Sequence, residues 1–365
     1  HAVVDFVPRE LSVAQAGQEL ALKTTGVRLA VREDALTLPT MGFALKSKSG
    51  LSGEISLSGS AKKITRAPEL DLRAELTPID LGVLTGIVPR VTRAQGTLAG
   101  AVHIGGKALA PTVDGKLSGK GGEFVVQGLP SAVTNVDIDV EADAQEIRIA
   151  RGSGRFSGGT LALSGRLPLR RFSLGAGEIG VAARGVRFAP DDGMRLAADA
   201  DLTLALAALD PNGQKTRLPH LAGDVTITSF EYSRPMALTG SLGDLKTKRA
   251  TVDAYDPSLD SLTLDVNVRA KTLLRVHNNM IEVQLGVESN VLQVTGTNQR
   301  VGLRGELKSL PGGRFHFRTS DFDVKQAILR FDDATRIAPN IDVLAVTEYR
   351  RMGDSANVAT GLGRQ

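Results

Sequence analysis

The chain has 365 residues, of which 42% are apolar and 23% charged, a balance typical of folded proteins that excludes disordered and collagen-like chains. It contains no Cys, which excludes disulfides, thiolate metal sites and thiol nucleophiles. Its net charge of +4 comes from Lys and Arg interspersed with Asp and Glu, whereas nucleic-acid-binding proteins concentrate positive charge in a stripe.

The predicted elements begin with a weak pattern over residues 1–69, where we expect a segment of β-strand repeats. The one helix that the sequence predicts covers residues 77–88, with Thr77 as its cap and Pro78 at the first helical position. Turn signals rich in Gly, Asn, Asp and Pro divide the chain at short intervals. They fall at residues 48–50, 105–106, 119–122, 158–159, 191–193, 211–213, 277–279 and 311–313.

Between the turns, apolar and polar residues alternate with period two, which puts the apolar side chains on one face of each predicted strand. The pattern is clearest over residues 262–269, where every second residue is Leu or Val. Units that open with Gly and an aliphatic strand recur loosely at residues 96–104, 221–232 and 301–308. The residues expected to form the apolar face are Val136, Ile138, Val140, Leu202, Leu204, Leu206, Leu262, Leu264, Val266, Val268, Ile281, Val283, Leu285, Phe315 and Phe317.

The composition favours an extended sheet over one compact core. Forty Gly and 4% aromatic residues predict tight turns between aliphatic strands, and a compact core of this size usually uses more aromatic side chains. At roughly 12 to 15 residues per strand and turn, the chain makes about 25 strands, spread over about 120 Å. Open sheets rarely exceed about ten strands without curling, so the apolar face must turn inward, in closed sandwiches or in an open U-shaped trough.

Three constellations resemble chemical sites, but a plainer interpretation is favoured for each. Residues 175–180 satisfy the G-x-G-x-x-G string, yet alternation and not a helix follows, so we expect a turn. A row of carboxylates shares one strand face, but its members stand about 7 Å apart, so we expect solvation instead of a bound cation. A cationic row that alternates with Phe is also expected to be solvated. The two rows are Asp137, Asp139, Glu141 and Asp143, and Arg314, His316 and Arg318.

The sequence carries no recognisable catalytic motif. Its five His never take a metal-ligand spacing such as H-E-x-x-H, and no G-x-S-x-G nucleophile motif occurs. No apolar run approaches the about 20 residues of a transmembrane helix. We therefore expect a protein that is not an enzyme and uses no cofactor or metal. We expect any export signal or membrane anchor to lie outside these residues.

The C-terminal third resembles, in order, the conserved end of the TamB family, whose wider relatives are the AsmA-like proteins and other bridge-like lipid transfer proteins. The likeness covers about residues 260–350 and is looser over about residues 70–240. The matching stretches are residues 264–269, 274–279, 294–296, 305–307, 313–317, 322–332 and 339–345.

The resemblance implies an all-β, mostly antiparallel curved sheet folded into an open U-shaped trough, or β-taco, with an apolar interior. It implies a periplasmic location, an inner-membrane anchor outside this segment, and an Omp85-type barrel (TamA-like) as outer-membrane partner. It divides the chain into β repeats at 1–69, degenerate AsmA/TamB-like repeats at 70–259, a C-terminal trough segment at 260–350 and a truncated end at 351–365.

The functional expectation is a conduit for phospholipid or another acyl lipid, with no nucleic-acid partner. A buried methylene is worth about 0.8 kcal/mol, so sheltering an acyl chain of about 16 carbons stabilises it by roughly 12 kcal/mol. Two alternatives stay open. A scaffold would assist outer-membrane barrel insertion or secretion through its sheet edge, and a stalk or adhesin would pack the same apolar face as a closed core.

Overall fold

The computed structural model describes thirteen stretches of the chain. These are residues 12–15, 18–22, 30–32, 34–47, 50–86, 90–127, 129–170, 173–189, 192–207, 217–235, 255–287, 291–317 and 320–347. They form one 23-stranded sheet and two short 3₁₀ helices, Leu81–Gly86 and Pro257–Leu259. The sheet is curved and mostly antiparallel, which confirms the all-β trough expected from the sequence.

The strands are named in chain order. The first twelve are β1 (Ser12–Gln15), β2 (Gln18–Leu22), β3 (Ala30–Arg32), β4 (Ala35–Ser47), β5 (Gly50–Lys62), β6 (Glu69–Asp80), β7 (Val91–Lys107), β8 (Ala110–Val126), β9 (Val133–Ala142), β10 (Glu146–Phe156), β11 (Gly159–Arg170) and β12 (Ser173–Leu174). The others are β13 (Gly177–Phe188), β14 (Met194–Leu206), β15 (His220–Tyr232), β16 (Thr263–Ala270), β17 (Leu274–His277), β18 (Ile281–Val287), β19 (Leu292–Thr297), β20 (Val301–Ser309), β21 (Gly313–Phe317), β22 (Ser320–Phe331) and β23 (Pro339–Val346).

Most of the sheet is an antiparallel meander in which each strand pairs with the next along the chain. From β4 to β15 the only departures are that β12 is a two-residue side pairing and that β11 therefore pairs directly with β13. Consecutive strands can pair this way because short turns join them. The meander places side chains of alternate residues on the same side of all these strands.

One connection within the described strands is different. β15 runs parallel to both β16 and β17, with His220 opposite Thr263 and Tyr232 opposite Val276. Parallel neighbours require a long return connection, and the chain between Tyr232 and Thr263 provides it. The meander therefore restarts at β16.

From β16 onwards, two short strands often lie end to end along the same neighbouring strand, as β16 and β17 do along β15, and β18 and β19 along β20. β17 pairs with β18 and β16 with β19, while β20 pairs with both β18 and β19. β22 then pairs with β20 and β21, and β23 pairs with β22. Two strands that lie end to end therefore take the place of one long strand, so the C-terminal part is also an antiparallel meander.

The helix predicted over residues 77–88 is wrong at its start. Thr77 and Pro78 lie in β6, and Thr77 is opposite Glu54 of β5. Cross-strand pairing outcompetes a short helix that contains two Gly, because a helical nucleus is costly and Gly disfavours it. A 3₁₀ helix begins at Leu81. The amide of Gly82, the second residue of this helix, donates a hydrogen bond to the Asp80 carboxylate at 2.5 Å.

Two predicted turns are also wrong. Residues 105–106 belong to β7, and the turn follows at residues 108–109. Residues 119–122 lie inside β8, where the register against β9 shifts between Gly119 and Gly122. The Gly cluster therefore makes a β-bulge, since Gly121 adopts φ +60°, which Gly tolerates without steric cost.

The remaining predicted turns either occur in the structure or lie outside the described residues. Turns or bends occur at residues 157–158, 192–193, 278–280 and 311–312, close to where the sequence predicts them, and residue 191 lies outside the described residues. Residues 211–213, and residues 48–49 of the first predicted turn, lie outside the described residues. Residues 175–176 form a turn that leads into β13, so the G-x-G-x-x-G string does not open a helix.

Candidate apolar groove

One face of the sheet is apolar across the middle of the chain, and we call it the inner face. Leu117 of β8 is opposite Val140 of β9, and Val140 is opposite Ile149 of β10. The same row continues through Gly165 of β11 to Ile179 of β13. Directly opposite residues have Cβ atoms about 5 Å apart, so the row is a continuous apolar strip that crosses the strands.

The candidates on β9 lie on this strip and its neighbouring rows. Val136 is buried, and Ile138 and Val140 are half-buried. Ile138 is opposite Gly119 of β8 and Gly152 of β10, so a large side chain stands between two positions without one. The Gly positions are filled by these neighbours, since a Cβ at Gly119 would lie only 2.9 Å from Cγ2 of Ile138.

The candidates on β14 extend the strip into the C-terminal part of the sheet. Leu202, Leu204 and Leu206 are all half-buried. Leu204 is opposite Leu221 of β15, and Leu221 is opposite Leu264 of β16. The register therefore carries an apolar row across the parallel connection without interruption.

The candidates on β16 and β18 are more deeply covered. Val266, Val283 and Leu285 are 7%, 4% and 5% exposed. Val268 and Ile281 are half-buried and pack against the same group of side chains. The inner face of this region is thus a packed core.

The last candidates lie at the margins of the inner face. Leu262 precedes β16, and its amide donates a hydrogen bond to Oδ1 of Asn298 at 3.1 Å. The Phe315 ring lies 6.1 Å from the rings of both Phe317 and Phe322, measured between centroids. Phe317 is 38% exposed. That any of the fifteen candidates lines a lipid groove stays a prediction.

The packed core is formed by nine buried side chains from six strands. Partly buried residues of β14 and β15, Leu196 and Phe230, also pack against it. Its buried members are Ile227, Leu274, Val283, Leu285, Leu292, Leu307, Val324, Ala327 and Phe331. We call β15–β22 the C-terminal section and β6–β14 the middle section.

Three members of the carboxylate row lie on the opposite, outer face of β9, Asp143 follows the end of the strand, and each member has a partner. Asp137 accepts a hydrogen bond from the Gly121 amide, and Asp139 accepts one from the Ser118 hydroxyl. Glu141 lies 2.9 Å from Nζ of Lys116 and also contacts Arg148. The row is therefore part of a network of charges and hydrogen bonds between strands, as is usual on a solvated sheet face.

These contacts lower the pKa values of three of the carboxyl groups. The hydrogen bond from Lys116 is the largest cause of the lowered pKa of Glu141, and that from Ser118 the largest for Asp139. Amide hydrogen bonds from Gln145 and Glu146 lower the pKa of Asp143. The groups remain in contact with water, so the energies involved are small.

The cationic row on β21 also faces acidic residues. His316 Nδ1 lies 2.5 Å from Oδ1 of Asp321, and Arg314 is opposite both Glu282 and Asp323. Arg318 lies outside the described residues. Among the described residues, no group of three or more His, Cys, Asp or Glu is placed to hold a metal ion.

Sequence reasoning missed the inner-face residues of three strands in the middle section. They are Ile147, Ile149, Leu161, Leu163, Ile179 and Val181, and all are half-buried. A register shift between Ile149 and Arg151 breaks the period-two pattern of β10 and hides it from a search for strict alternation. Leu161 and Leu163 do alternate within β11, and that signal could have found them.

The last described strand forms an edge of the sheet. Within the described residues β23 pairs with β22 only. Four of its apolar side chains are exposed: Ile341 by 65%, Val343 by 46%, Leu344 by 59% and Val346 by 46%. An exposed apolar edge strand is a template for pairing with another chain.

The fold and its apolar face define a class of protein: a long all-β trough built from repeated antiparallel strands. The family model for the TamB C-terminal domain matches residues 150–362 of this chain. The match covers more than half of the sequence, so the chain belongs to the TamB family. Comparison with curated proteins and with solved structures found no match.

Membership of this family carries a broad role. TamB-family proteins are non-enzymatic factors that span the cell envelope and act with the machinery of outer-membrane assembly. In the described part of this chain, no helix has the length and apolarity needed to cross a membrane. The matched residues include the whole C-terminal section and the end of the middle section.

Proposed function

We propose that this chain is part of a periplasmic conduit that carries phospholipid acyl chains along the inner face between the inner and outer membranes. The observation that supports this proposal is the continuity of the apolar rows, which run from strand to strand through half-buried Leu, Ile and Val. Aliphatic walls without deep polar anchors suit sliding more than tight capture, because they offer an acyl chain shelter without a fixed position.

The partners follow from the same proposal. The bound molecule is a phospholipid or another acyl lipid, and the receiving partner is an Omp85-type barrel in the outer membrane. The conduit needs no cofactor, since an acyl chain that moves along an apolar surface undergoes no chemical change.

Lipid extraction from the purified chain, read by mass spectrometry, tests the proposal. Leu163 and Ala162 are neighbours in β11 that point to opposite faces, with Leu163 half-buried on the inner face and Ala162 exposed on the outer face. Leu163→Asp puts a carboxylate beside the acyl chain and is expected to lower the recovered phospholipid about tenfold, a change of about 1.4 kcal/mol. Ala162→Asp is the matched control and should leave recovery unchanged.

Two results would count against the conduit. One is the repeated absence of phospholipid from the wild-type chain, and the other is equal recovery from both Asp variants. Circular dichroism and thermal unfolding of each variant separate loss of lipid from loss of fold.

A second candidate function is a scaffold that assists insertion of outer-membrane barrels by strand pairing. The observation that favours it is the exposed apolar edge strand β23. Pro cannot donate to a strand ladder, so Val343→Pro or Leu344→Pro should abolish such activity. A charged replacement at half-buried Leu264 should leave it intact, whereas a conduit would be impaired by it. Barrel insertion and lipid transfer, measured for the same variants, distinguish the two functions.

A further inference from the structure

The inner face changes character at β15. In the middle section large side chains such as Leu117, Ile149 and Leu163 are half-buried, and buried ones such as Val136 at 7% and Val186 at 6% lie outside the core cluster. In the C-terminal section, Leu307 is 7% exposed and Val324 only 1%. The same alternation of apolar and polar residues therefore gives two different degrees of side-chain burial.

The deep burial of Val324 requires atoms above it as well as beside it. Neighbours in a sheet cover only the flanks of a side chain, and its outer end stays in contact with solvent unless another layer lies over it. Val324 contributes to one cluster with residues from β15 to β22, including Ile227 and Leu285. The side chains of this cluster thus fill the space above Val324 that an acyl chain would need.

The topology changes at the same strand. β15 is the first strand with a buried member in the cluster, Ile227, and it is also the strand that pairs in parallel with β16 and β17. Packing and strand order are independent observations. Both mark a boundary between β14 and β16.

We propose that the lipid-accessible groove ends at β15 and that the C-terminal section closes it as a filled cap. This inference rests on the proposed conduit function. The end of the acyl chain meets Leu196 of β14 and Phe230 of β15, the half-buried residues that border the core. A lipid that arrives through the middle section leaves the chain sideways at β14 and β15, because its straight path is occupied.

The proposal reduces the number of candidate residues that contact the lipid. Acyl chains touch the candidates on β9 and β14, and Val283 and Leu285 act by closing the trough. Substitution of the first group changes lipid binding directly, whereas substitution of the second group changes stability first.

Photolabelling of the wild-type chain tests this inference without any substitution. The chain is loaded with a phosphatidylethanolamine that carries a diazirine on one acyl chain, irradiated, digested with trypsin and analysed by mass spectrometry. Cleavage after Lys and Arg releases residues 156–166 and 196–215 from the middle section and residues 276–300 from the C-terminal section. We expect adducts on the first two peptides and at least tenfold fewer on the third.

Each alternative result of the photolabelling experiment leads to a different conclusion. Equal labelling of residues 276–300 and of the two middle-section peptides would overturn the closed end while it supports the conduit. Absence of adducts from all three peptides would overturn the conduit, and this inference with it. The denatured chain in detergent micelles that contain the same lipid is the control, and it should be labelled on all three peptides.

Discussion

The middle and C-terminal sections are built from the same pattern and differ in how their inner faces are covered. Both are antiparallel meanders whose apolar residues alternate with polar ones. In the middle section most large inner-face side chains are half-buried, with single buried residues such as Val136 at 7%, whereas the C-terminal section has a continuous core with Val324 1% exposed. Alternation therefore determines which side chains share a face but does not determine whether two walls of the sheet meet.

Side-chain size gives a physical reason for the difference. Inner-face rows of the middle section are interrupted by Gly, as at Gly119 and Gly152 on either side of Ile138. The C-terminal section places the aromatic rings of Phe322 and Phe331 on its inner face. Larger side chains reach farther from the sheet, whereas the Gly positions are filled by their neighbours and add no bulk above it, since a Cβ at Gly119 would lie 2.9 Å from Cγ2 of Ile138.

The largest expected difference between the sections is in the cost of removing a Leu side chain. Leu285 is 5% exposed in the core, and Leu285→Ala should lower the free energy of unfolding by about 2–5 kcal/mol because it leaves a cavity. Leu163→Ala in the half-buried middle section should cost about 1 kcal/mol. Urea denaturation of both variants measures the two losses, and equal losses would contradict the division into a closed and an open section.

A smaller effect is expected from Gly100, which allows close approach of strands in the middle section. Gly100 adopts φ +151°, and a Cβ there would overlap the carbonyl oxygen of Lys116 and lie 2.9 Å from the Cα of Leu117. Gly100→Ala should therefore lower the free energy of unfolding by about 1–3 kcal/mol. Thermal unfolding is the measurement.

The matched control for Gly100 is a Gly in a strand of the C-terminal section. At Gly286 an added Cβ would have its nearest neighbours at 3.9 Å, Cδ2 of Leu273 and the carbonyl oxygen of Lys308. Gly286→Ala should change the free energy of unfolding by less than about 0.5 kcal/mol. If the two variants were equally stable, the close approach at Gly100 would carry no energetic weight.

The sequence predicts the face of a residue better than its environment. Period-two alternation places Leu202 and Leu204 on the inner face with Leu264, and the cross-strand register agrees. The alternation is local, so it contains no information about the opposite wall. It therefore does not distinguish half-buried Leu204 from buried Leu285.

Irregular features of the sheet are the second aspect of the structure that the sequence does not predict. The bulge at residues 119–122 resembles a turn in sequence, because Gly serves both, and only pairing with β9 distinguishes them. The parallel connection from β15 to β16 has no local signal, since both strands alternate like their antiparallel neighbours. Pairing over long sequence separations decides both features.

The smallest expected effect is a pH dependence confined to the outer face of the middle section. The hydrogen bond from Lys116 is the largest cause that holds the pKa of Glu141 below its ordinary value. A carboxyl group with a depressed pKa in the folded state stabilises the protein above its ordinary pKa, and this contribution is lost as the pH falls through the folded value. Acid should therefore weaken the middle section at this network before it affects the core.

Hydrogen exchange at neutral and acid pH can measure this difference section by section. Protection of β9 and β10 should fall on acidification, while β18 and β20 keep theirs because apolar packing binds no protons. Glu141→Gln should reduce the loss in β9 and β10, because the variant lacks the group that titrates, and Lys116→Gln should do the same by removing its partner. If both variants lost protection on acidification as fully as the wild-type chain, the outer-face pairs would contribute nothing, and the middle section would depend on its half-buried apolar rows alone.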